Sequence, residues 1–292
     1  MEIWFLAAVG GALFAGLSNF YFKQAAVRGY NAELFSLYGG LISIVIIGTI
    51  VFLQQESLFY YGWLAGLTFL GGLLGAQNNI LKVLALRFID STIYFPLFKL
   101  LAPALAIIAG IIFFGESFTS IEWLGMILGL SVPLLLITRA EHSRQQNLIA
   151  GLLVVLITGI LSAAAAVINK FATDAGVPIL VILISVSFGV FIGTLLTLTI
   201  RKGIQNLLNT IKKETSLGLI IGASLRSIFI SIGLGLMLYA FTAGGTLAIV
   251  QTIHSMYILI PIVLAIILYN EHWNLQKVIA IILSIAALGL LQ

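Results

Sequence analysis

Long apolar segments alternate with short polar breaks along the whole chain. An α-helix needs about 20 residues to cross the hydrocarbon core of a membrane, and ten segments approach that length. These segments are roughly Ile3–Phe22, Leu34–Leu53, Tyr61–Leu84, Ser91–Phe114, Ile121–Thr138, Leu148–Ile168, Ile179–Ile200, Leu217–Phe241, Thr246–Tyr269 and Leu275–Leu291. Isolated strands would leave backbone groups without partners in lipid. The pattern therefore predicts an all-α integral membrane protein with ten transmembrane helices.

The polar elbow between the fourth and fifth segments has a counterpart near the end of the chain. Glu116 and Glu271 each close the first segment of a pair and are 155 positions apart. At the same spacing, Lys99 corresponds to His254, so each copy carries a basic side chain at similar depth in an apolar segment. The sequence is therefore interpreted as duplicated.

The duplication extends to the earlier segments at a slightly different spacing, since Lys23 and Lys170 are 147 positions apart. We expect a first five-helix repeat over residues 1–145 and a second over residues 146–292. Because five is odd, the second repeat enters the membrane in the opposite direction. Two inverted repeats around a central cavity can exchange conformations, which is the basis of alternating access.

Composition agrees with a membrane protein. The chain is 61% hydrophobic and 8% charged, whereas soluble domains carry roughly a quarter charged residues. The net charge of +4 is therefore interpreted as basic loops at a membrane surface, with no nucleic-acid partner. The absence of cysteine excludes disulfides and thiolate metal sites. We expect the first segment to be a retained span.

Basic residues are distributed unevenly between the loops. Of the 14 Lys and Arg residues, eleven follow odd-numbered segments, and only Lys170 follows an even-numbered one. The positive-inside rule then places the odd-numbered loops in the cytoplasm. This predicts a multi-pass protein of the cytoplasmic (inner) membrane with both termini outside.

Placing a polar side chain within the membrane costs free energy, so each polar residue within a segment requires a structural or functional explanation. Lys99 lies about nine residues from the nearer end of its segment, too deep to reach the interface easily. Arg226 is similarly deep and stays charged. For the Ser, Thr and Asn side chains, hydrogen bonding between helices is the competing explanation. The expected substrate-binding residues are Lys99, His254, Arg226, Gln77, Asn78, Tyr94, Gln251 and Asn19.

Other polar residues have structural explanations. Three lysines near segment ends are expected to extend to the membrane interface: Lys23, Lys82 and Lys170. Glu116 and Glu271 are expected to act as caps at short turns. Thr119 and Glu122 have the spacing of a capping box, and Asn274 is the expected N-cap of the tenth helix.

All ten acidic residues lie in loops or at segment ends. A proton-coupled exporter of organic cations normally exchanges protons through a membrane-embedded carboxylate. The interior here is basic and rich in amides instead. That chemistry suits a carboxylate, a zwitterion or a phosphorylated metabolite.

The stretch FPLFKLLAPALAIIAGIIFFGESFTSIEWLGMILGL resembles the repeat of the drug/metabolite transporter superfamily, in its ten-helix EamA-type branch. Pro103, Gly115–Glu116 and Gly125 carry the resemblance, whereas Ile258 and Asn270 depart from it in the second copy. The resemblance implies a cavity lined mainly by helices 1, 3, 4, 6, 8 and 9, with helices 5 and 10 peripheral. Much of the superfamily has cytoplasmic termini, which differs from the orientation that the loop charges predict.

We therefore expect a secondary active transporter of a small polar, zwitterionic or anionic, amino-acid-like metabolite, with export as the expected direction. The alternatives are broad efflux of lipophilic drugs and a non-catalytic membrane assembly partner. The chain has no HExxH spacing, His-Asp-Ser set or phosphate-binding glycine loop, so no enzyme activity, cofactor or metal is expected. His254 is the candidate for a coupled proton. The oligomeric state stays open between monomer and homodimer.

Overall fold

The computed structural model describes residues 2–56, 61–85, 91–137, 148–260, 263–264 and 275–292. These ranges are helical, and no strand occurs within them. The helices are α1 (Ile3–Val27), α2 (Ala32–Leu53), α3 (Gly62–Ala85), α4 (Ser91–Phe114), α5 (Ser120–Leu135), α6 (Leu148–Asp174), α7 (Ile179–Lys202), α8 (Ile204–Glu214), α9 (Leu217–Thr242), α10 (Leu247–Ser255) and α11 (Leu275–Leu290). A 3₁₀ turn, Met256–Ile258, continues α10.

Six of the described helices are long and apolar enough to cross a membrane: α1, α2, α4, α6, α7 and α9. Helices α5, α10 and α11 are apolar but shorter. Helix α3 carries Gln77, Asn78, Asn79 and Lys82 in its second half, and is not among the six. The described part of the chain is helical throughout its secondary structure, and the protein is a multi-pass membrane protein, while the count of ten spans stays a prediction.

Helix α8 is one element that the pattern of long apolar segments does not reveal. It lies between α7 and α9 and is amphipathic, so it has too few consecutive apolar residues to resemble a span. Its end is tied to the start of α2, where the Asn31 side chain donates to Glu214 Oε2 at 2.7 Å. Nearby, Arg201 pairs with Glu33.

Interhelical contacts fix the directions of the helices. Gly11 of α1 packs against Gly233 of α9, and Tyr21 stacks on Phe229, so these two helices are antiparallel. Helices α3 and α7 are parallel, because residue 72 meets residue 189 and residue 77 meets residue 197. We call the end of the bundle where α1 begins and α11 ends the terminal face. The opposite end, where α8 lies, is the basic face.

The buried apolar residues are distributed differently at the two ends. One continuous cluster closes the terminal face and includes Phe5, Ile107, Ile182, Phe241 and Leu247. At the basic face, the described residues form two separate clusters. One joins the ends of α1, α2, α7 and α9, and the other joins α3, α4 and α6. Among the described residues, the apolar core is therefore continuous at the terminal face and forms two separate clusters at the basic face.

Small residues bring α3 and α7 into very close contact. A Cβ built on Gly72 would lie 2.2 Å from the carbonyl oxygen of Val186, and one on Gly189 would lie 2.2 Å from that of Phe69. Glycine is required at both positions because any side chain would overlap backbone. In lipid, such close approach is a main source of attraction between helices.

The elbow after α4 is held by two carboxylates with different roles. The predicted capping box at α5 is confirmed: Glu122 N donates to Thr119 Oγ1 at 3.3 Å, and Thr119 N donates to Glu122 Oε2 at 2.6 Å. Glu116 is also a cap, but of a distant helix. Its carboxylate accepts from the backbone N–H groups of Leu247 and Ala248 at the start of α10.

Several expectations concern parts of the chain outside the described residues. These are the caps at Glu271 and Asn274, the side chain of Lys23 and the repeat boundary at residues 145–146. They stay predictions. Lys170 is described, and it pairs with Asp174 at 2.5 Å at the end of α6. The Lys170 side chain, which was expected to extend towards the membrane interface, forms an ion pair with Asp174.

Candidate functional site

A cavity of about 270 Å³ lies in the centre of the bundle. Its described lining comes from α1, α2, α3, α4, α6, α7, α9, α10 and the 3₁₀ turn, with no residue from α5 or α11. Those two helices pack against each other at the periphery, where Gly125 meets Leu291. Helices α2 and α7 add a contribution that the sequence did not suggest, from small and apolar residues including Gly39, Ser43, Val186 and Ser187.

Six of the eight residues expected to bind substrate line this cavity: Asn19, Asn78, Lys99, Arg226, Gln251 and His254. The other two face neighbouring helices. Gln77 Nε2 donates to Thr197 Oγ1 at 3.0 Å, on the side of α3 that packs on α7. Tyr94 is fully buried and donates to Thr158 Oγ1 at 3.1 Å, between α4 and α6.

Aromatic rings surround the cations of the cavity. Lys99 is 8% exposed, and its Nζ lies 3.5 Å from the ring centroid of Tyr257 and 5.3 Å from that of Phe98. Lys82 Nζ lies 4.6 Å from the same Phe98 ring. A cation over a ring face is held electrostatically but keeps its charge. The rings therefore hold the Nζ atoms of these two lysines in place.

The expectation that Lys82 extends to the membrane interface is wrong. Although it lies in the last turn of α3, its side chain lines the cavity. The physical reason is the packing of α3, which leaves this side of the helix facing α4 and the cavity. The Nζ atom can then settle against Phe98 in place of lipid headgroups.

The described lining carries positive charge and no carboxylate. Lys82 is close enough to both Lys99 and Arg226 for the charges to repel one another. Arg226 also lies over the ring of Phe35, with Cζ 5.9 Å from its centroid. Both ion pairs in the described part of the chain, Lys170–Asp174 and Arg201–Glu33, lie away from the cavity. An anion in the cavity would relieve this repulsion.

Amide groups supply the hydrogen-bonding chemistry of the cavity. Asn78 Oδ1 and Asn169 Oδ1 are buried and have no hydrogen-bond partner among the described residues. A buried acceptor without a partner costs about 1–3 kcal/mol, so both are available to a bound donor. Asn19 Nδ2 donates to the Ala15 carbonyl at 2.7 Å, and Gln251 Nε2 lies 3.5 Å from Met237 Sδ.

The lining residues that sequence reasoning missed as binding candidates include Lys82, Asn79, Asn169 and Tyr257. The two asparagines had a usable signal, because both lie among polar positions within apolar segments. Lys82 was set aside for its position near a helix end. Tyr257 carries no signal in the sequence, since an aromatic residue in an apolar segment is usually part of the core.

A comparison with models of known protein families finds a match in the first part of the chain. Residues 2–138 match the EamA-like transporter family. This match covers 137 of the 292 residues, just under half of the chain, and supports placement in the drug/metabolite transporter superfamily. EamA-like proteins are transporters, which agrees with the expectation that the chain is not an enzyme, and the match implies a small-molecule substrate and a lipid environment.

A solved structure gives a second comparison over the whole chain. It is titled only as the crystal structure of a protein, and it superposes with a TM-score of 0.73 at 15% sequence identity. The alignment covers 98% of this chain and 95% of that chain. At this identity the likeness concerns the fold alone. No curated protein matches the chain in sequence.

Proposed function

We propose that the protein is a secondary active transporter that moves a small polar, zwitterionic or anionic metabolite across the cytoplasmic membrane by alternating access. The observation that carries this proposal is the central cavity. Its described lining contains cations and amides, and the described residues form one continuous apolar core at the terminal face but two separate clusters at the basic face. A site accessible from one side at a time is what alternating access requires.

One pair of contacts supports the inverted repeat. Gly39 of α2 accepts a hydrogen bond from Ser227 of α9 through its carbonyl oxygen, at 2.9 Å. At the repeat spacing of 147 positions, Gly39 corresponds to Val186, and at the spacing of 155 positions, Gly72 corresponds to Ser227. The carbonyl of Val186 indeed abuts Gly72. Corresponding positions therefore meet in both halves, through a side-chain hydrogen bond at Gly39 and through a backbone contact at Gly72.

The side to which the cavity opens follows from the loop charges. Most basic loops and α8 lie at the basic face, which the positive-inside rule assigns to the cytoplasm. The conformation described here would then be the inward-facing one. In the opposite conformation, the two basic-face clusters join and the seal at the terminal face opens. Export is the direction we propose, with a proton carried by His254 as the candidate coupling step.

The lining favours a polar solute over a lipophilic drug. A drug-efflux cavity binds through exposed aromatic faces, whereas Phe98 and Tyr257 are each approached by a lysine Nζ atom. A passive assembly partner, in turn, has no use for buried cations that face a cavity. Both alternatives are therefore less consistent with the site.

The proposal is tested with purified full-length protein. A thermal-shift screen of metabolites identifies solutes that stabilise the folded state, and each hit is then measured for counterflow in liposomes. Lys99→Gln should reduce counterflow at least tenfold, whereas Lys213→Gln, an exposed change on α8, should not. Transport of lipophilic compounds alone, unaffected by Lys99→Gln, would refute the proposal.

A further inference from the structure

A second pocket lies between α1 and α9 at the basic face. Its volume is about 260 Å³, and its described lining comes from the end of α1, the turn that follows, the start of α9 and Phe35 of α2. None of these residues lines the central cavity. The pocket is therefore a separate site, and the proposed transport gives it no role.

Two glycines of α9 make room for this pocket. Gly218 and Gly222 lie one helical turn apart, and both line it. A Cβ built on Gly218 would lie 2.4 Å from the hydroxyl oxygen of Tyr30, so the phenol occupies the space that a side chain would take. Ile221 also lines the pocket and is 50% exposed. Because an exposed apolar side chain on a membrane helix faces lipid, the pocket is open towards the bilayer.

The polar end of the pocket carries a cation and a phenol. Arg28 directly follows α1, lines the pocket and is exposed, and the Tyr30 hydroxyl lies in the same lining. Neither ion pair of the described chain involves Arg28, and no Asp or Glu occurs in the described lining. The planar guanidinium group binds phosphate oxygens through two parallel N–H groups. This end therefore suits a phosphate with net negative charge.

The neighbouring part of the basic face favours the same charge. Its carboxylates are already engaged, since Glu214 accepts from the Asn31 side chain at 2.7 Å and Glu33 pairs with Arg201. The last turn of α8 carries two exposed lysines beside Glu214. A negatively charged headgroup at Arg28 therefore has cations, and no unengaged carboxylate of these two, around it.

A ladder of aromatic rings continues from the pocket into the membrane. Phe14, Tyr21 and Arg28 are spaced seven residues apart and therefore lie along one side of α1. The ring of Phe229 on α9 stacks on both aromatic rings, with centroids 6.1 Å from Phe14 and 5.7 Å from Tyr21. All three rings are only partly buried. The stripe from Arg28 to Phe14 is roughly 21 Å long, whereas the hydrocarbon of one leaflet is about 15 Å thick. Its length therefore matches one acyl chain and its headgroup.

We propose that the pocket and the ladder together bind one anionic phospholipid from the leaflet at the basic face. The phosphate contacts Arg28 and the Tyr30 hydroxyl, and one acyl chain lies along Tyr21, Phe229 and Phe14. Basic pockets between transmembrane helices bind anionic headgroups on the cytoplasmic side of membranes, which is the side that the positive-inside rule assigns to the basic face. This site is independent of the transported solute.

Lipids that differ in one part at a time test this proposal. Dioleoyl phosphatidylglycerol has a net negative charge. Dioleoyl phosphatidylcholine has the same acyl chains and a phosphate but no net charge, and glycerol 3-phosphate has a phosphate but no acyl chain. Each is titrated into the full chain in detergent, and native mass spectrometry gives the Kd of the first bound molecule. Phosphatidylglycerol should bind roughly tenfold more tightly than either of the others.

Variants link this preference to Arg28. Arg28→Gln should weaken the first phosphatidylglycerol roughly tenfold, because the charged hydrogen bonds to phosphate are lost. Arg28→Lys should restore part of the affinity, since it keeps the charge but not the two parallel N–H groups. Lys202→Gln removes an exposed cation at the end of α7 on the same face and should change nothing. Without lipid, Arg28→Gln should unfold at the temperature of the unchanged protein, which separates lost binding from lost folding.

Three outcomes would overturn the proposal. If phosphatidylcholine binds as tightly as phosphatidylglycerol, the pocket does not recognise negative charge. If glycerol 3-phosphate binds as tightly, the ligand is a soluble phosphate and no lipid is required. If Lys202→Gln weakens phosphatidylglycerol as much as Arg28→Gln does, the binding reflects the general charge of the basic face. Counterflow of a solute in liposomes reports on the central cavity, so either proposal can fail while the other stands.

Discussion

The contact between α3 and α7 allows a quantitative test of how the bundle is held together. Gly72→Ala adds a Cβ atom that would lie 2.2 Å from the Val186 carbonyl oxygen, where ordinary contact begins at 3.4 Å. Both groups belong to helix backbones and cannot rotate away. The helices must therefore separate locally by about 1 Å to accept one methyl group.

The cost has two parts. Forcing an extra carbon into a packed contact typically costs about 1–3 kcal/mol. The same separation would lengthen the Gln77–Thr197 hydrogen bond, now 3.0 Å, beyond its effective range, and such bonds in membranes average about 0.6 kcal/mol. We therefore expect Gly72→Ala to lower the free energy of unfolding by roughly 2–4 kcal/mol.

Helix α3 provides its own control. A Cβ on Gly66 would meet nothing within 4 Å, so Gly66→Ala makes the same chemical change on the same helix without a clash. Unfolding by sodium dodecyl sulfate in mixed micelles, followed by circular dichroism, gives the free energies. Gly72→Ala should unfold at a clearly lower detergent fraction, and Gly66→Ala at that of the unchanged protein. Equal midpoints for the two variants would refute the packing argument.

Three further predictions concern residues outside the cavity. Burial raises the pKa of Glu116, so the folded state holds this proton more tightly and stability falls as pH rises from 4.5 to the raised value. Unfolding measured over a pH series should show that Glu116→Gln removes this slope, and a slope that persists would assign it to another group. Tyr94→Phe deletes the hydrogen bond to Thr158 and should cost about 1 kcal/mol of stability. Ligand affinity should not change, and a change would place the hydroxyl in the binding site. Thr119→Ala removes the cap shared with Glu122 and should cost about 1 kcal/mol in the same unfolding assay. An unchanged midpoint would contradict that role.

The helices were predictable because the feature that drives their formation in a membrane, a long run of apolar residues, can be read directly from the sequence. The predicted segment Ser91–Phe114 has the observed bounds of α4, and most other segments differ only by a few residues at the ends. Lipid requires long apolar runs, and a sequence displays such runs directly. The predicted segment Thr246–Tyr269 begins one residue before α10, its 3₁₀ turn at Met256–Ile258 was not predicted, and its last residues lie outside the described part of the chain.

The types of side chain at the site were predictable from the sequence, but the directions in which individual side chains point were not. Gln77 and Asn78 are neighbours with the same functional group, yet one bonds to α7 and the other lines the cavity. Successive residues on a helix point about 100° apart, and the direction of the cavity is set by which helices surround α3. Lys82 illustrates the same limit, because depth along a helix says nothing about the side on which a residue lies.

The bond from Glu116 to the start of α10 spans 131 residues of chain. During translation, Glu116 is made and inserted with the first five segments, long before the ribosome reaches Leu247. Its carboxylate must then remain at the aqueous boundary until the later segment arrives. The first N–H groups of the cavity-lining helix α10 depend on Glu116, a residue from the first part of the chain, for their hydrogen bonds. This contact can therefore form only after α10 is made, and a nascent chain released earlier would leave the Glu116 carboxylate without the N–H groups of Leu247 and Ala248.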